Sequence, residues 1–559
     1  MRPTISIGNQ DFKSLRENQC FYVDKTFLIK EWWERKDVVT LITRPRRFGK
    51  TLNMSMMESF FSNQYAGRGE LFEGLSIWKE APYRALQGRY PVIFLSFADV
   101  KGNTYPTAHR ELIQKLVKLY SHFDYIRTSG KLNEKDCAYF DSVNEEMDDA
   151  AASVAIHYLA GYLQKYYGEK VLIFLDEYDT PLQEAYINGY WEELTVFMRG
   201  LFNSTFKTNP YLERAMLTGI TRVSKESIFS DLNNLEIVTT TSRKYETAFG
   251  FTEKEVADAL QEFGLADQME RVRIWYDGFR FGKTDGIYNP WSITKYLDSG
   301  RLDSYWANTS SNSLVGKLIK EGTPEIKIAM EDLLEGKEIE SDIDEEIVFS
   351  QLDNNRTAIW SLLLVAGYLR VVREPEEGTD SVYHLALTNF EVTKMFRRMI
   401  QEWFKNAPVR YNDFVKALLS DDVDYMNQFM NQIALQAFSS FDTGKQSSEF
   451  AEPERFYHGF VLGLMVDLSG QYRITSNRES GLGRYDVVME PLQAGQTAYV
   501  LEFKVRRPKK EKNLEETVQN ALKQIEEKGY DTELLARGIP KERIRHYGFA
   551  FEGKTVLIG

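Results

Sequence analysis

Short apolar runs alternate with longer amphipathic stretches over the first 250 residues of the chain. After the first run, Leu52, Met56 and Phe60 recur at a spacing of four, which is typical of the buried face of a helix. Strands that are buried on both faces consist of short, nearly continuous apolar runs. Such runs are VVTLIT (38–43), YPVIFLSF (90–97), KVLIFLDEYD (170–179) and ERAMLTGITRV (213–223). The pattern predicts a parallel α/β sheet within residues 1–250.

The pattern changes twice further along the chain. Residues 251–430 have a mostly helical pattern, interrupted by the Gly- and Tyr-rich segment WYDGFRFGKTDGIYNPWS (275–292). Residues 431–559 return to an α/β pattern of helix, strand, strand, helix and strand. At about 150 residues per domain, a single hydrophobic core cannot account for this length. We therefore predict a multidomain α/β protein with an N-terminal sheet domain, a helical middle region and a C-terminal α/β domain.

The composition indicates the cellular compartment of the protein. Two cysteines, Cys20 and Cys137, cannot form a disulfide framework or a four-thiolate zinc site, which favours a reducing compartment. The first residues lack the apolar core of a secretion signal, and no apolar run approaches the ~20 residues of a membrane span. These features predict a cytoplasmic protein with no membrane partner.

The charge distribution bears on nucleic acid as a partner. A net charge of −13 disfavours a polyanion as the partner of the whole chain. Residues 431–559, however, contain 18 basic and 18 acidic residues, so the preceding residues carry the whole excess. The C-terminal part therefore has room for a local basic patch.

A candidate phosphate-binding loop, RPRRFGKT at 44–51, follows the first apolar run. It matches the pattern G-x-x-x-x-G-K-[ST] at Gly49, Lys50 and Thr51, but Arg44 replaces the first glycine. We expect Lys50 to reach the β and γ phosphates of ATP, Thr51 to bind Mg²⁺, and the helix N-terminus to attract the phosphates. The alternative is an unrelated turn between a strand and a helix.

Three arginines make this loop unusual. Arginine adopts φ > 0 reluctantly, so the turn at Arg44 must differ from that of a glycine loop. Pro45 removes one backbone N–H donor. Arg44, Arg46 and Arg47 either replace lost backbone donors with side-chain charge or are solvated, and we include Arg46 and Arg47 among the candidate nucleotide-binding residues.

A second motif ends the run at 170–179. Asp176 and Glu177 follow an apolar strand, as the carboxylates of a Walker B strand do. Because ligands of open parallel sheets bind at the carboxyl ends of the strands, this motif and the loop are expected at one edge. We expect Asp176 to hold Mg²⁺ and Glu177 to act as general base. Thr218 and Arg222, which end the later strand, are either a γ-phosphate sensor or a turn with a surface arginine.

A third constellation lies within residues 483–505. Two strand-like runs flank a turn rich in Pro, Gly and Gln, which predicts a β-hairpin centred near Ala494. Asp486 and Glu502 then face each other, with Lys504 on the same face as Glu502. Two facing carboxylates repel each other unless a cation lies between them. We expect them to bind Mg²⁺ or Mn²⁺, with Lys504 positioning or deprotonating the attacking water. The alternative is a cross-strand salt-bridge cluster on an exposed face.

Flanking residues bear on this candidate nuclease site. Glu454, in the first turn of a predicted helix, is either a further metal ligand or a favourable partner of the helix dipole. Gln524 and Tyr530 have the spacing of a Q-x₅-Y element. The basic run KVRRPKKEK (504–512) is either solvated or contacts DNA phosphates.

Five segments in order resemble the AAA-ATPase-like domain of a large group of bacterial proteins, in which arginine at the first loop position is usual. They are YVDKTFLI, RPRRFGKT, FLDEYDTPL, LTGITRVSKESIFSDLNNL and WYDGFRFG with YNPWS. The resemblance covers residues 3–295 and implies a P-loop ATPase fold in which YPVIFLSF lies between the loop strand and the Asp176 strand. Residues 449–559 look like the PD-(D/E)XK nuclease domain that follows in the same family, with Tyr485 in place of the usual proline.

Together these features lead to one hypothesis and one alternative. The hypothesis is an ATP-binding, ATP-hydrolysing protein whose metal-dependent nuclease domain cleaves nucleic acid, with DNA as the expected partner. The alternative is a nucleotide-dependent switch or nucleic-acid-binding protein whose nuclease-like domain is inactive. These residues are compatible with an oligomer.

Overall fold

In the computed structural model the chain divides into two compact units. The N-terminal unit comprises Met1–Leu318 and Glu338–Thr393, and the C-terminal unit comprises Ile319–Lys337 and Lys394–Gly559. The predicted boundaries at 250 and 430 stay predictions. The structure describes residues 2–221, 228–229, 232–307, 315–316, 318–319, 324–344, 356–374, 382–405, 411–437, 461, 465, 468, 471–476, 479–480, 483–484, 486–493, 495–508, 510–552 and 555–559.

A five-stranded parallel sheet forms the centre of the N-terminal unit, as predicted. Its strands are β1 (Val39–Thr43), β2 (Val92–Ser96), β3 (Val171–Asp176), β4 (Leu212–Gly219) and β5 (Leu235–Val238). Every residue of β1 and β3 is buried, which explains why both appear in the sequence as unbroken apolar runs. The helices around the sheet are α1 (Phe12–Glu17), α2 (Phe27–Arg35), α3 (Lys50–Phe61), α4 (Ala81–Arg84), α5 (Tyr105–His122), α6 (Asp124–Arg127), α7 (Glu134–Ser142), α8 (Asp149–Tyr167), α9 (Thr180–Asn188) and α10 (Trp191–Phe206).

The order of the strands corrects one expectation. The sheet runs β2-β3-β4-β1-β5, so the strand between the loop strand β1 and the Asp176 strand β3 is β4. The run YPVIFLSF forms β2, which lies at the sheet edge beyond β3. All four of these runs are apolar, so composition alone does not distinguish an edge strand from an inserted one. The order depends on the crossover connections.

The middle of the chain is mostly helical, with two small sheets that the pattern did not predict. The helices are α11 (Glu253–Glu262), α12 (Met269–Tyr276), α13 (Pro290–Ser299), α14 (Pro324–Leu334), α15 (Arg356–Val365), α16 (Phe390–Lys405), α17 (Tyr411–Leu419) and α18 (Val423–Ala437). The strands β6 (Phe251–Thr252), β7 (Phe279–Phe281) and β8 (Thr284–Tyr288) form one three-stranded sheet, and β9 (Ile339–Asp342), β10 (Leu369–Arg373) and β11 (Val382–Leu387) form the other. These strands have two to six residues, too short for a clear alternation in the sequence.

A second five-stranded sheet forms the centre of the C-terminal unit, in the order β12-β15-β16-β17-β18. Its pairs are antiparallel except β16 with β17, which is parallel. The elements are β12 (Tyr472–Ser476), the short pair β13 (Glu479–Ser480) and β14 (Gly483–Arg484), β15 (Val487–Pro491), β16 (Ala498–Val505), α19 (Leu514–Lys528), α20 (Thr532–Ala536), β17 (Ile544–Glu552) and β18 (Thr555–Ile558).

Side chains of α18 cover the edge strand β18. The amide of Asn427 donates to the carbonyl of Ile558 at 2.8 Å and accepts from its N–H at 2.7 Å. Asn431, one turn later, makes the same pair of bonds with Val556 at 2.6 and 2.9 Å. An uncovered sheet edge is a template for pairing with another chain, and this ladder of two asparagines occupies it.

Among the helices in the described ranges, none combines the length and the apolar character of a membrane span.

Candidate nucleotide and nuclease sites

The 44–51 loop joins β1 to α3 at the carboxyl edge of the parallel sheet. Within the loop, left-handed φ values occur at Arg47 (64°) and Gly49 (81°). Arg44 does not have a left-handed φ, so its conformation is one that arginine adopts readily. Lys50 begins α3 and is buried, and its Nζ donates to the carbonyls of Arg44 and Pro45, both at 2.9 Å. The lysine is thus held over the loop that it follows.

Arg44 has a role that neither expectation foresaw. Its side chain is 0% exposed, so it is not solvated. Its guanidinium donates to the carbonyls of Thr43 at 2.9 Å and Thr239 at 2.7 Å, and lies 4.4 Å from the ring centre of Phe281. Two longer bonds of 3.4 Å reach the carbonyls of residues 244 and 245. Arg44 ties the start of the loop to the segment after β5.

Arg46 and Arg47, in contrast, are exposed. Arg46 donates to Oε1 of Gln183, on the helix after the Asp176 motif, at 3.3 Å. The guanidinium of Arg47 lies 4.5 Å from the ring centre of Trp291. Neither contact tests phosphate binding, so the nucleotide-binding role of both arginines stays a prediction.

Asp176 ends β3 and joins the loop to β4. The carboxylate accepts a hydrogen bond from the hydroxyl of Thr51 at 2.8 Å and one from the hydroxyl of Thr218 at 2.6 Å. Burial raises the pKa of Asp176, and the two hydroxyl bonds oppose that rise. A carboxylate beside a hydroxyl is a donor set that fits Mg²⁺, which takes one or two carboxylates and completes its shell with waters and substrate phosphates.

Glu177 follows in a left-handed conformation, with φ of 51°. A non-glycine residue in this region is strained by about 1–3 kcal/mol, and such strain clusters at functional sites. Its Oε2 accepts from the hydroxyl of Thr180 at 3.2 Å. The role of Glu177 as general base stays a prediction.

Asp179 is a residue that sequence reasoning missed. Its buried Oδ2 accepts from the backbone N–H groups of Ile220 and Thr221 at 3.0 and 2.9 Å, and from the hydroxyl of Thr221 at 2.9 Å. These bonds fix the turn after β4, directly before Arg222. Arg222 lies outside the described residues. The segment FLDEYD contains Asp179 as a third acid, and the pattern of two carboxylates at Asp176 and Glu177 leaves that acid without a role. This extra acid was the signal in the sequence.

The electrostatics of this edge centre on Lys50. Burial lowers the pKa of Lys50, while Glu177, Asp179 and Asp176 act in the opposite direction. Burial also raises the pKa of Asp179. Lys50 and the carboxylates of Asp176 and Asp179 are therefore charged groups that are largely shielded from water.

The C-terminal hairpin has the predicted register. Val487 pairs with Leu501 and Met489 with Tyr499, so the centre of symmetry falls at 494. Asp486 directly precedes β15, and its Oδ2 accepts the backbone N–H of Phe503 at 2.8 Å. Asp486 therefore lies beside the segment that carries Glu502.

Gln524 joins Glu502 and Lys504. Its Nε2 donates to Oε1 of Glu502 and, at 3.0 Å, to the hydroxyl of Tyr530, while its Oε1 accepts from Nζ of Lys504 at 2.7 Å. The Nζ of Lys504 lies 3.7 Å from Oε1 of Glu502. Glu502 is 3% exposed, so these charges do not form the exposed cross-strand cluster of the alternative interpretation.

The donor set suits a divalent cation. Asp486, directly before β15, and Glu502, on β16, offer two carboxylates, and Mg²⁺ needs no more from a protein when substrate phosphates complete its shell. Glu454, the predicted third ligand, lies outside the described residues. Within the described part of the chain, no group of three or more acidic, His or Cys side chains forms a metal site.

The basic run is only partly available to a ligand. Arg506 pairs with Glu552 and donates to the carbonyl of Lys512 at 2.8 Å. Arg507 and Lys510 are exposed. Any contact with phosphates would therefore come from the later part of the run.

Two segments of the chain match known protein families. Residues 6–229 match a family described as predicted AAA-ATPase, and residues 452–559 match the PD-(D/E)XK nuclease superfamily. The chain is also 26% identical to an uncharacterized protein in the vnfD 5′ region of Azotobacter chroococcum mcd 1, over 96% of this chain and 95% of that protein. Domains of these two kinds generally use a nucleotide and a divalent metal. The chain thus combines an AAA-ATPase-like domain with a C-terminal domain of the PD-(D/E)XK nuclease superfamily.

Proposed function

We propose that the N-terminal domain binds and hydrolyses ATP. The observation that supports this is the pair of hydrogen bonds through which Asp176 joins Thr51 of the loop to Thr218 of β4. Lys50 would bind the β and γ phosphates, Thr51 and Asp176 would hold Mg²⁺, and Glu177 would take the proton of the attacking water. Arg46, Arg47, Gly49 and Arg222 would complete the phosphate contacts.

We further propose that the C-terminal domain is a metal-dependent nuclease that cuts DNA. The observation that supports this is the bridge by which Gln524 holds Glu502 and Lys504 together. A bound Mg²⁺ or Mn²⁺ would supply Lewis acidity and an activated water. Asp486 and Glu502, with Glu454 as a third candidate, would hold the ion. Lys504 would orient or deprotonate the water, and Gln524 would keep its amine beside the carboxylate.

A plasmid-nicking assay tests the nuclease. The full chain is incubated with supercoiled DNA and Mg²⁺ or Mn²⁺, with and without ATP, beside Lys504→Ala. Lys523→Ala, which changes a lysine that is 68% exposed on α19, is the matched control. We expect Lys504→Ala to lose at least a hundredfold in rate and Lys523→Ala to keep the wild-type rate. Binding without cleavage under every condition would favour the inactive nuclease-like domain, and cutting of RNA alone would replace DNA as substrate.

ATP turnover tests the N-terminal domain separately. Lys50→Ala should abolish phosphate release, while Lys30→Ala, which changes a surface lysine paired with Glu80, should not. Equal turnover by Lys50→Ala and the wild type would refute a catalytic role of the loop.

Limited proteolysis of the same samples locates the domain boundaries, which we place near 250 and 430. We also propose a cytoplasmic location, since both cysteines are free thiols.

A further inference from the structure

The outer side of the 44–51 loop is held by one end of a helix from the middle of the chain. The carbonyl of Arg46 accepts a hydrogen bond from Nδ2 of Asn289 at 3.3 Å. Asn289 is 1% exposed, so water does not compete for this bond. A backbone carbonyl that is shielded from water needs a hydrogen-bond donor from the protein, and Asn289 supplies one to Arg46.

Asn289 has a second role that fixes its orientation. It is the N-cap of α13, where its Oδ1 accepts from the backbone N–H groups of Trp291 at 2.9 Å and Ser292 at 3.3 Å. Because the oxygen is committed to the helix, the amide NH₂ must face the loop. A residue that only capped the helix could equally be Ser, Thr or Asp. The donor to the loop requires the amide.

The next loop residue contacts the same turn of helix. Arg47 has φ of 64°, a conformation that arginine adopts reluctantly, and its guanidinium lies 4.5 Å from the ring centre of Trp291. A cation over an indole face is stabilised electrostatically, and this stabilisation opposes the cost of the left-handed backbone. The contact therefore offsets the strain at this position.

The turn itself is anchored on the far side. Ser292 donates to Oε2 of Glu391 at 2.8 Å, and Oε1 of that buried carboxylate accepts the backbone N–H of Trp306 at 2.6 Å. Asn289 and Trp291 are thus fixed before any nucleotide arrives. A fixed support lowers the conformational entropy that a ligand must overcome when it orders a loop.

We propose that the first turn of α13, Asn289 to Trp291, is a positioning element that holds Arg46 and Arg47 in the conformation that binds nucleotide. The proposal rests on the proposed nucleotide site. Asn289 and Trp291 act through the loop and need not touch the nucleotide. The segment YNPWS would then set nucleotide affinity.

Asn289→Ser separates the two roles of the asparagine. Serine keeps the cap, but its short side chain cannot reach the carbonyl of Arg46. We expect the melting temperature to stay within about 2 °C of wild type, while the Kd for ATP, measured by calorimetry on the full chain, rises about three- to tenfold. Asn289→Ala should lose both the affinity and the stability. Trp291→Phe should retain more affinity than Trp291→Ala.

Lys295→Met is the matched control. Its amine lies 5.3 Å from the centre of the Trp291 ring, and the substitution leaves Asn289 and Arg47 unchanged. We expect wild-type affinity from it. An Asn289→Ser chain that binds ATP as tightly as wild type would refute the proposal, because the cap alone would then be sufficient.

Hydrogen exchange of the loop in the nucleotide-free chain keeps the two proposals distinguishable. Amides of residues 46–49 should exchange several-fold faster in Asn289→Ser and Trp291→Ala than in wild type or Lys295→Met. If wild type binds no ATP but exchange still rises, the ATP-binding proposal fails and the positioning role stands. Unchanged exchange in both variants overturns the positioning role whatever the nucleotide result.

Discussion

Replacing Arg44 by glycine would restore the usual first residue of a phosphate-binding loop, yet we expect it to harm the protein. The guanidinium of Arg44 is fully buried and bonds the carbonyls of Thr43 at 2.9 Å and Thr239 at 2.7 Å. Its plane also lies against Phe281 at 4.4 Å. Glycine removes these contacts and leaves an arginine-sized space between β1 and the segment after β5.

The magnitude follows from the two short bonds. A hydrogen bond from a charged donor contributes about 1.5–3 kcal/mol, so their loss costs roughly 3–6 kcal/mol if nothing replaces them. Water entering the polar space recovers part of this. We expect Arg44→Gly to lower the free energy of unfolding of the N-terminal unit by about 3 kcal/mol, a large fraction of the ~5–15 kcal/mol typical of a folded domain.

Thermal and urea unfolding of the full chain measure the effect. Arg44→Lys keeps the charge but not the planar fork, and should lose an intermediate amount. Arg46→Gly, two positions along and exposed, should change stability by less than ~0.5 kcal/mol. If Arg44→Gly unfolds with wild-type stability and binds ATP as tightly or more tightly, Arg44 merely substitutes for glycine and the buried contacts are unimportant.

Three further predictions concern other buried polar groups. Burial raises the pKa of Glu391 from 4.5 to about 7, so wild-type stability should fall by up to about 3 kcal/mol as the pH rises between these values. Glu391→Gln should remove this pH dependence in urea unfolding, and an equal pH dependence in both proteins would contradict the prediction. Asn427→Leu should uncover the edge strand β18, so the variant should self-associate in size-exclusion chromatography, whereas the exposed Gln428→Leu should elute as the wild type does. Identical elution of the two variants would show that the edge needs no cover. Asp179→Asn should cost about 1–3 kcal/mol and slow ATP turnover more than Gln183→Ala, which removes only one of its donors; the reverse ranking would refute a role in fixing the end of β4.

Local patterns allowed much of the candidate sites to be predicted. The apolar runs located β1 to β4 because buried parallel strands need apolar residues on both faces. The hairpin register about residue 494 followed from the short turn and the alternation of side chains, which have a period of two. These features depend on residues that are close in the sequence.

Contacts between distant segments could not be predicted in the same way. The strand order depends on the path of each crossover, which the sequence does not show, so the predicted position of β2 was wrong. Arg44 and Asn289 both contact backbone carbonyls, and every residue carries a carbonyl whatever its side chain. No residue pattern therefore marks the acceptor in advance.

What the sequence by itself determined is the chemistry that each segment offers: a lysine and threonine after a strand, carboxylates at the end of another, and a carboxylate pair with a lysine on a hairpin. What only the tertiary structure decided is how those groups are held. Arg44 is buried in the fold, Asp179 fixes the end of β4, Gln524 joins Glu502 to Lys504, and α13 supports the loop. The physical reason is that a side chain's chemistry is local, whereas its burial and its partners depend on segments that meet only when the chain folds.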